Sequence, residues 1–256
     1  MVENDCYGRG YFEGEKKTYL RGYVTPQKER AFARYLGWIE KADPTGQGER
    51  ALDLGCAYGL FLHLLDDRGL ETYGIDISEH AISEARKYTG AKLIVADIEE
   101  GIPYPDDYFR LISAFDLIEH MHSPYDLLCE LNRVLESGGR LAFTTPNTGS
   151  VMRLLQGGRW HGFTDPTHIQ LFGRTSLRLL LEATGYQVHL MTTPFHPLPL
   201  PLSNLVGRTG LGGRYSRLPL NSSPAGELPL RYVELFGTPR EGAWMLVPDH
   251  LTCQAS

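Results

Sequence analysis

The sequence predicts an α/β protein built on one mostly parallel, seven-stranded sheet with helices on both faces and an antiparallel last strand. Three observations predict it. Short β-type runs alternate with helical runs from Arg50 to Thr144, a glycine turn follows the first run at Gly55, and acids close the second and third runs at Asp76 and Asp97. Parallel strands cannot be joined by tight hairpins, so the alternation demands helical crossovers that cover the sheet.

Thr25-Pro26 reads as a helix start with proline at its first position. Phe32, Leu36 and Ile39 then recur on one face, with Tyr35 beside them, until Asp43-Pro44 and the Gly46-Gln47-Gly48 turn. Arg50 to Leu54 is the first strand and Tyr58 to Asp67 a helix. Glu71 to Ile75, then Glu79 to Tyr88, repeat the pattern as strand and helix. Lys92 to Ala96 and Phe109 to Phe115 are the third and fourth strands. Tyr125 to Leu135 is a helix with Leu127, Leu128, Leu131 and Val134 inward, and Ser137-Gly138-Gly139 stops it. Arg140 to Thr144 is the fifth strand, ended by Pro146. A helix over Arg174 to Ala183, closed by Gly185, precedes a strand from Tyr186 to Thr192. A last strand, Ala243 to Val247, is expected to pair antiparallel with it.

At 256 residues the chain is long enough for one full core with a small addition. Its net charge of −6 disfavours a broad grip on nucleic acid. No apolar run approaches the roughly 18–20 residues of a membrane span. The first five residues are polar and acidic, unlike a secretory signal. Cys6, Cys56, Cys129 and Cys253 are scattered with no CxxC pair, so their spacing gives neither a zinc site nor a disulfide framework. A reduced, cytoplasmic protein is the expectation. The chain divides into four regions: a lid or helical segment over 1–45, a binding core over 46–195, a Pro/Leu/Gly-rich insertion over 196–235, and a final strand and tail over 236–256. The insertion exceeds an ordinary connection and reads as a lid, a contact in a homodimer, or a disordered stretch.

Leu52-Asp53-Leu54-Gly55-Cys56-Ala57-Tyr58-Gly59 lies where the first strand turns into a helix. Glycine there lets backbone approach a ligand, and the helix start offers free N–H groups. Asp76 ends the second strand where a carboxylate accepts from both hydroxyls of a ribose. Asp97 and Ile98 suit the edge and face of an adenine. The plainer alternative is that Asp76 and Asp97 only cap the next segments of chain. No Gly-Lys-Ser/Thr comes after the turn, which argues against a phosphate-binding loop. The turn reads G-x-A-x-G, not the GxGxxG of nicotinamide dinucleotide domains, and Asp53 before it suits a positively charged ligand.

Leu52 to Gly59, Gly74-Ile75-Asp76, Phe115-Asp116-Leu117-Ile118-Glu119-His120, and Leu135 to Leu141 followed by Thr145-Pro146-Asn147 together resemble class I S-adenosylmethionine-dependent methyltransferases. The likeness spans about Arg50 to Thr192 and is strongest to the small-molecule branch that includes ubiquinone-biosynthesis and natural-product O-methyltransferases. It implies a Rossmann-like fold and S-adenosylmethionine as cofactor, leaving S-adenosylhomocysteine. By this resemblance Asp53, Gly55, Ala57 and Gly59 lie along the cofactor's amino-acid end, Asp76 and Ile77 hold its ribose, Asp97 and Ile98 its adenine, and Phe115 and Asp116 flank it at the fourth strand. Ala57 stands where the family more often has glycine.

A neutral hydroxyl is a poor nucleophile, so methyl transfer to oxygen needs a base or a metal ion. Two segments carry such groups: Asp116 to His122, and Trp160 to His168. The resemblance to metal-dependent relatives implies a divalent ion such as magnesium on Asp116, Glu119, His120 and His168. Asp116 stands where those relatives have glutamate, and its shorter side chain leaves two alternatives: a contact of Asp116 with the cofactor instead of an ion, and a buried structural pair of Glu119 and His120. His168 is the expected general base or metal ligand, supported by His120 and Glu119, while His122 and His161 read as surface or substrate contacts. Tyr7, Tyr11, Phe12, Tyr19 and Tyr23 read as a lid over the cofactor or as packing on the sheet. The acceptor is expected to be a small molecule with a hydroxyl, and the Pro/Leu-rich insertion with Trp160 and Phe163 reads as a partly apolar pocket for it or as a dimer contact. N- or C-methylation, a dehydrogenase, and a non-catalytic cofactor-binding subunit are the rivals.

Overall fold

The computed structural model describes residues 7–12, 24–42, 44–192 and 243–250. In chain order the helices are α1 (Arg9–Phe12), α2 (Pro26–Ala42), α3 (Leu60–Asp66), α4 (Glu79–Ala85), α5 (Pro124–Val134), α6 (Val151–Gln156), α7 (His161–Thr164) and α8 (Arg174–Ala183). The strands are β1 (Arg50–Leu54), β2 (Glu71–Asp76), β3 (Lys92–Val95), β4 (Phe109–Phe115), β5 (Leu135–Pro146), β6 (Tyr186–Thr192) and β7 (Ala243–His250). They form one sheet in the order β3-β2-β1-β4-β5-β7-β6. The first five are parallel, and β7 lies antiparallel between β5 and β6. The expected class is what the chain adopts.

The period-2 alternation of β1 sorts the two layers. Leu52 and Leu54 face a core with Ile75, Ile112, Leu128, Leu131 and Leu177, beneath α5 and α8. Ala51 faces the other side, against Phe32, Leu36 and Ile39 of α2 and Phe61 and Leu65 of α3. The apolar face foreseen for α2 is therefore the buried one. Strand order reverses between β1 and β4, since β1 continues to β2 on one side and meets β4 on the other. That reversal opens a crevice at the C-terminal strand ends, where ligands of open α/β sheets bind.

Some boundaries differ from the sequence reading. Helix α5 ends at Val134, and Ser137-Gly138-Gly139 lies inside β5 rather than stopping the helix. Pairing shifts there, from Phe109 opposite Leu135 to Leu111 opposite Arg140, and Gly138 takes φ +74°. A glycine pair that reads as a stop is a bulge, because β4 offers a ladder on which the backbone can continue. Helix α3 starts at Leu60, not Tyr58, because the turn before it runs through left-handed backbone at Ala57 and Gly59. Helix α4 stops at Ala85. The expected insertion over 196–235 lies outside the described residues, as do Tyr19 and Tyr23. Cys56 is a buried free thiol. No helix among the described residues is long and apolar enough to cross a membrane.

Candidate functional site

The crevice is a cavity of about 470 Å³, within the roughly 300–1,000 Å³ usual for small-molecule sites. One end is built by β1, β2 and β3. Gly55 takes φ +64° and its N–H donates to the Ile75 carbonyl at 2.8 Å, which folds the turn back over β2. A side chain at Gly55 would press on Leu117 at 3.1 Å. Ala57 also sits at positive φ, +48°. Left-handed backbone costs a residue with a Cβ roughly 1–2 kcal/mol, which is why glycine suits this position. The conformation is held by Asp76, whose Oδ2 accepts the Ala57 N–H at 2.8 Å while Oδ1 accepts the Ser78 N–H at 2.8 Å.

Asp53 and Asp76 are both buried and line this end, with Ile77, Asp97 and Ile98 beyond them. Burial pushes the Asp53 carboxyl up to about 7. The Ser113 hydroxyl, donating at 2.5 Å, opposes that rise, and nearby Asp76 adds to it. Burial likewise raises Asp76, against the two N–H groups it accepts. Asp97 caps the short turn Ile98–Glu100 through the Glu99 N–H at 3.0 Å and still lines the cavity. The capping alternative thus describes Asp97, whereas α4 is capped by Ser78 and Asp76 instead ties the turn at Ala57 to its own strand end; neither arrangement excludes a cavity role. Gly59 does not line the cavity: a Cβ there would lie 2.9 Å from Thr89 Cγ2 and 3.2 Å from the Ala85 Cβ, so this glycine lets α3 pack on α4.

Lys28 was not foreseen. It lies in the first turn of α2, lines the cavity, and its charge opposes the rise in Asp53. Only its place just inside the Thr25-Pro26 helix start marks it in the sequence. Tyr7, Tyr11 and Phe12 also line the cavity, and Phe12 stacks on Tyr58 at 5.0 Å. The aromatic segment over 7–12 therefore packs on the turn after β1 through Phe12, Ala57, Tyr58 and Ala81.

The other end is made by the loop after β4 and the segment around α7. Phe115 lines the cavity and packs on Phe32, Tyr35 and Phe61, with ring centroids 4.8–5.4 Å apart. Glu119 is fully buried, and its backbone carbonyl accepts the N–H groups of Ile169 and Gln170 at 2.9 and 3.0 Å. His120 Nδ1 lies 2.9 Å from the Thr167 carbonyl, and His168 Nδ1 3.2 Å from the Gly162 carbonyl. A carbonyl only accepts, so both Nδ1 atoms carry the proton and both Nε2 atoms keep a lone pair. Burial lowers both imidazoles below their usual range. Burial alone would raise Asp165, but the hydroxyl and N–H of Thr167, at 2.6 and 2.9 Å, outweigh it and lower the carboxyl.

The ring centroids of His120 and His168 are 5.0 Å apart, and those of His161 and His168 5.2 Å. Two groups of ligand atoms lie within 4.8 Å of one another: Glu119, His120 and His168, and His161, Asp165 and His168. The four-residue metal set implied by resemblance is not assembled. Asp116, at φ +51°, turns its carboxylate to the Thr144 hydroxyl at 2.7 Å and stays outside both groups. His122 is held by Glu99, which accepts its N–H at 2.6 Å and its Nδ1 at 2.7 Å. Trp160 is 1% exposed and does not line the cavity, whereas Phe163 is half exposed, so neither supplies the apolar wall expected of them.

One cavity thus carries buried acids and a glycine turn at its first end and two neutral imidazoles at its second. A family model described as a methyltransferase domain matches residues 27–190. The chain belongs to that family. It is an S-adenosylmethionine-dependent methyltransferase of class I, in the small-molecule branch. It is 30% identical over 173 residues to malonyl-[acyl-carrier protein] O-methyltransferase of Enterobacter lignolyticus, covering 67% of this chain and 68% of that one. It is 28% identical over 120 residues to ubiquinone biosynthesis O-methyltransferase of Dechloromonas aromatica, covering 44% of this chain and 50% of that one. The chain therefore spans about two thirds of the first relative and half of the second. Among solved structures, magnesium protoporphyrin IX methyltransferase from Synechocystis with bound SAH superposes with a TM-score of 0.64 at 14% identity, covering 97% and 98% of the two chains. That likeness is one of fold.

Proposed function

We infer that the chain transfers the methyl group of S-adenosylmethionine to a hydroxyl of a small-molecule acceptor. The observation that carries this reading is the two-ended cavity, with Asp53, Asp76 and Asp97 at one end and the neutral His168 at the other. In this reading Asp53 faces the cofactor's ammonium, Lys28 its carboxylate, Asp76 its ribose hydroxyls, and Asp97 with Ile98 its adenine. Gly55, Ala57 and Ile77 bound the same end, and Phe115 with Asp116 flank its middle.

His168 takes the acceptor's proton on Nε2. Its Nδ1–H stays on the Gly162 carbonyl, and Asp165 Oδ2, 4.0 Å from Nε2, stabilises the imidazolium that forms. The freed oxygen bonds to the methyl carbon as the carbon–sulfur bond breaks, and the sulfonium leaves as a neutral thioether. Alignment supplies much of the rate, roughly 7–11 kcal/mol for well-placed reactants, and the base a further factor of about 10²–10⁴. Glu119 and His120 are positioning residues: the Glu119 carbonyl and the His120 ring hold the strand of chain that carries His168. With the implied four-ligand set incomplete, no step runs through a metal.

The test combines a screen of hydroxyl acceptors for cofactor turnover with His168→Ala. The expected result is an O-methylated product and a fall in kcat of about 10²–10⁴, with S-adenosylhomocysteine affinity changed less than about threefold. Near-normal turnover by His168→Ala removes the base, and a product methylated only on nitrogen or carbon removes the hydroxyl reading.

A further inference from the structure

We propose that His161, Asp165 and His168 form a binding site for one divalent transition-metal ion, and that occupying it inhibits methyl transfer. The inhibition rests on the role of His168 as the base; the binding does not.

The three ligands come from one eight-residue stretch, through α7 and the turn after it. Their ligand atoms lie within 4.8 Å of one another. His161 and His168 are stacked with their rings 5° from parallel. Two of the three donors facing the gap, those of His168 and Asp165, are oriented by bonds on their far sides. His168 gives Nδ1–H to the Gly162 carbonyl, leaving Nε2 as the only lone pair of the ring. Asp165 spends Oδ1 on the N–H and hydroxyl of Thr167, leaving Oδ2 to face that Nε2. Partners of this kind, a carbonyl behind an imidazole and donors behind a carboxylate, orient metal ligands in general.

The gap itself distinguishes an ion site from an ordinary ion pair. Nε2 and Oδ2 are 4.0 Å apart although both side chains are at most 10% exposed. That is too long for a hydrogen bond. Two ligands of one ion with bonds of roughly 2.0–2.2 Å stand about 3.4 Å apart in tetrahedral geometry, so a small closure seats both. Two imidazoles and one carboxylate select zinc, cobalt or iron over magnesium, which prefers all-oxygen surroundings. Because Nε2 of His168 is the lone pair that would accept the acceptor's proton, an ion there removes the base. His168 belongs to both groups, so an ion held with His161 and Asp165 takes it from the Glu119–His120 group.

The test uses the full chain freed of metal with a chelator. Zinc binding is followed by calorimetry, and cobalt ligation by its visible absorption. The wild type is expected to take one equivalent. His161→Ala and Asp165→Asn should each weaken binding at least about tenfold, and Glu119→Gln should leave it within about threefold. Each variant is first shown to bind S-adenosylhomocysteine like the wild type, so loss of fold or of the cofactor site is read separately. Methyl transfer should fall in step with zinc occupancy. Loss of binding in Glu119→Gln with retention in His161→Ala would assign the ion to the other group and overturn the proposal. So would the absence of any zinc heat from a chain that binds S-adenosylhomocysteine, or undiminished turnover at full occupancy.

Discussion

A carboxyl group sealed from water keeps its proton until something charged joins it. Asp53 is held up to about 7 chiefly by burial, whereas an unfolded aspartate ionises near 3.9. Between those values the folded, unliganded chain holds a proton that the unfolded chain has lost. Its stability therefore falls as pH rises through that window, and the contribution levels off above about 7. A cofactor ammonium beside Asp53 favours the carboxylate, so binding on the acid side of that pKa should release a proton and tighten as pH rises. Calorimetry of S-adenosylhomocysteine binding in two buffers of different ionisation heat measures the release directly. Asp53→Asn, which keeps an acceptor for the Ser113 hydroxyl, should abolish it. Identical proton release in wild type and variant would mean that Asp53 does not face the ammonium.

At the scale of elements, what could be read from the chain depended on whether the cause was local. The acids at Asp76 and Asp97 and the turn at Gly55 were legible, because strand ends and glycine turns are written in adjacent residues. The bulge at Gly138-Gly139 was not, since it arises from pairing with β4 some 28 residues earlier in the chain. The short reach of Asp116 was legible, since it stands where the metal-binding pattern has glutamate, but its partner Thr144, which comes alongside from β5, was not. Helix α7 shows the same logic in packing. Trp160 is sealed beneath it, and a Cβ on Gly162 would stand only 2.2 Å from the Trp160 ring at Cζ3. The ring cannot yield into a filled core, so Gly162→Ala should cost about 1–3 kcal/mol, the usual range for overpacking. The Gly162 carbonyl also orients His168, so the same change should lower turnover more than it lowers S-adenosylhomocysteine affinity. Thermal melting and single-turnover assays check the two effects. An unchanged Tm would show that Trp160 does not set the height of this helix.

For the whole molecule, the strand order decides where a ligand can couple to stability. β1 and β4 part at the reversal of the sheet, and the cavity is bounded there by residues of β1, β2 and β4 and by α2 from the opposite layer. A molecule that bridges these elements is bound by the folded chain alone, so it raises stability by mass action. At a hundred times its Kd the gain is about 2.7 kcal/mol. For a chain of this size each kcal/mol moves the melting point by roughly 2–4 °C, so saturating S-adenosylhomocysteine should raise Tm by about 5–11 °C. Asp76→Ala loses both the ribose acceptor and the two bonds that shape the Gly55–Ala57 turn, and should cancel most of that rise while lowering the unliganded Tm. A nicotinamide dinucleotide should give no shift, because the G-x-A-x-G turn closed by Asp76 presents carboxylates where a pyrophosphate would need N–H groups. A shift with the dinucleotide and none with S-adenosylhomocysteine would mean that the crevice at the β1–β4 reversal receives a different nucleotide.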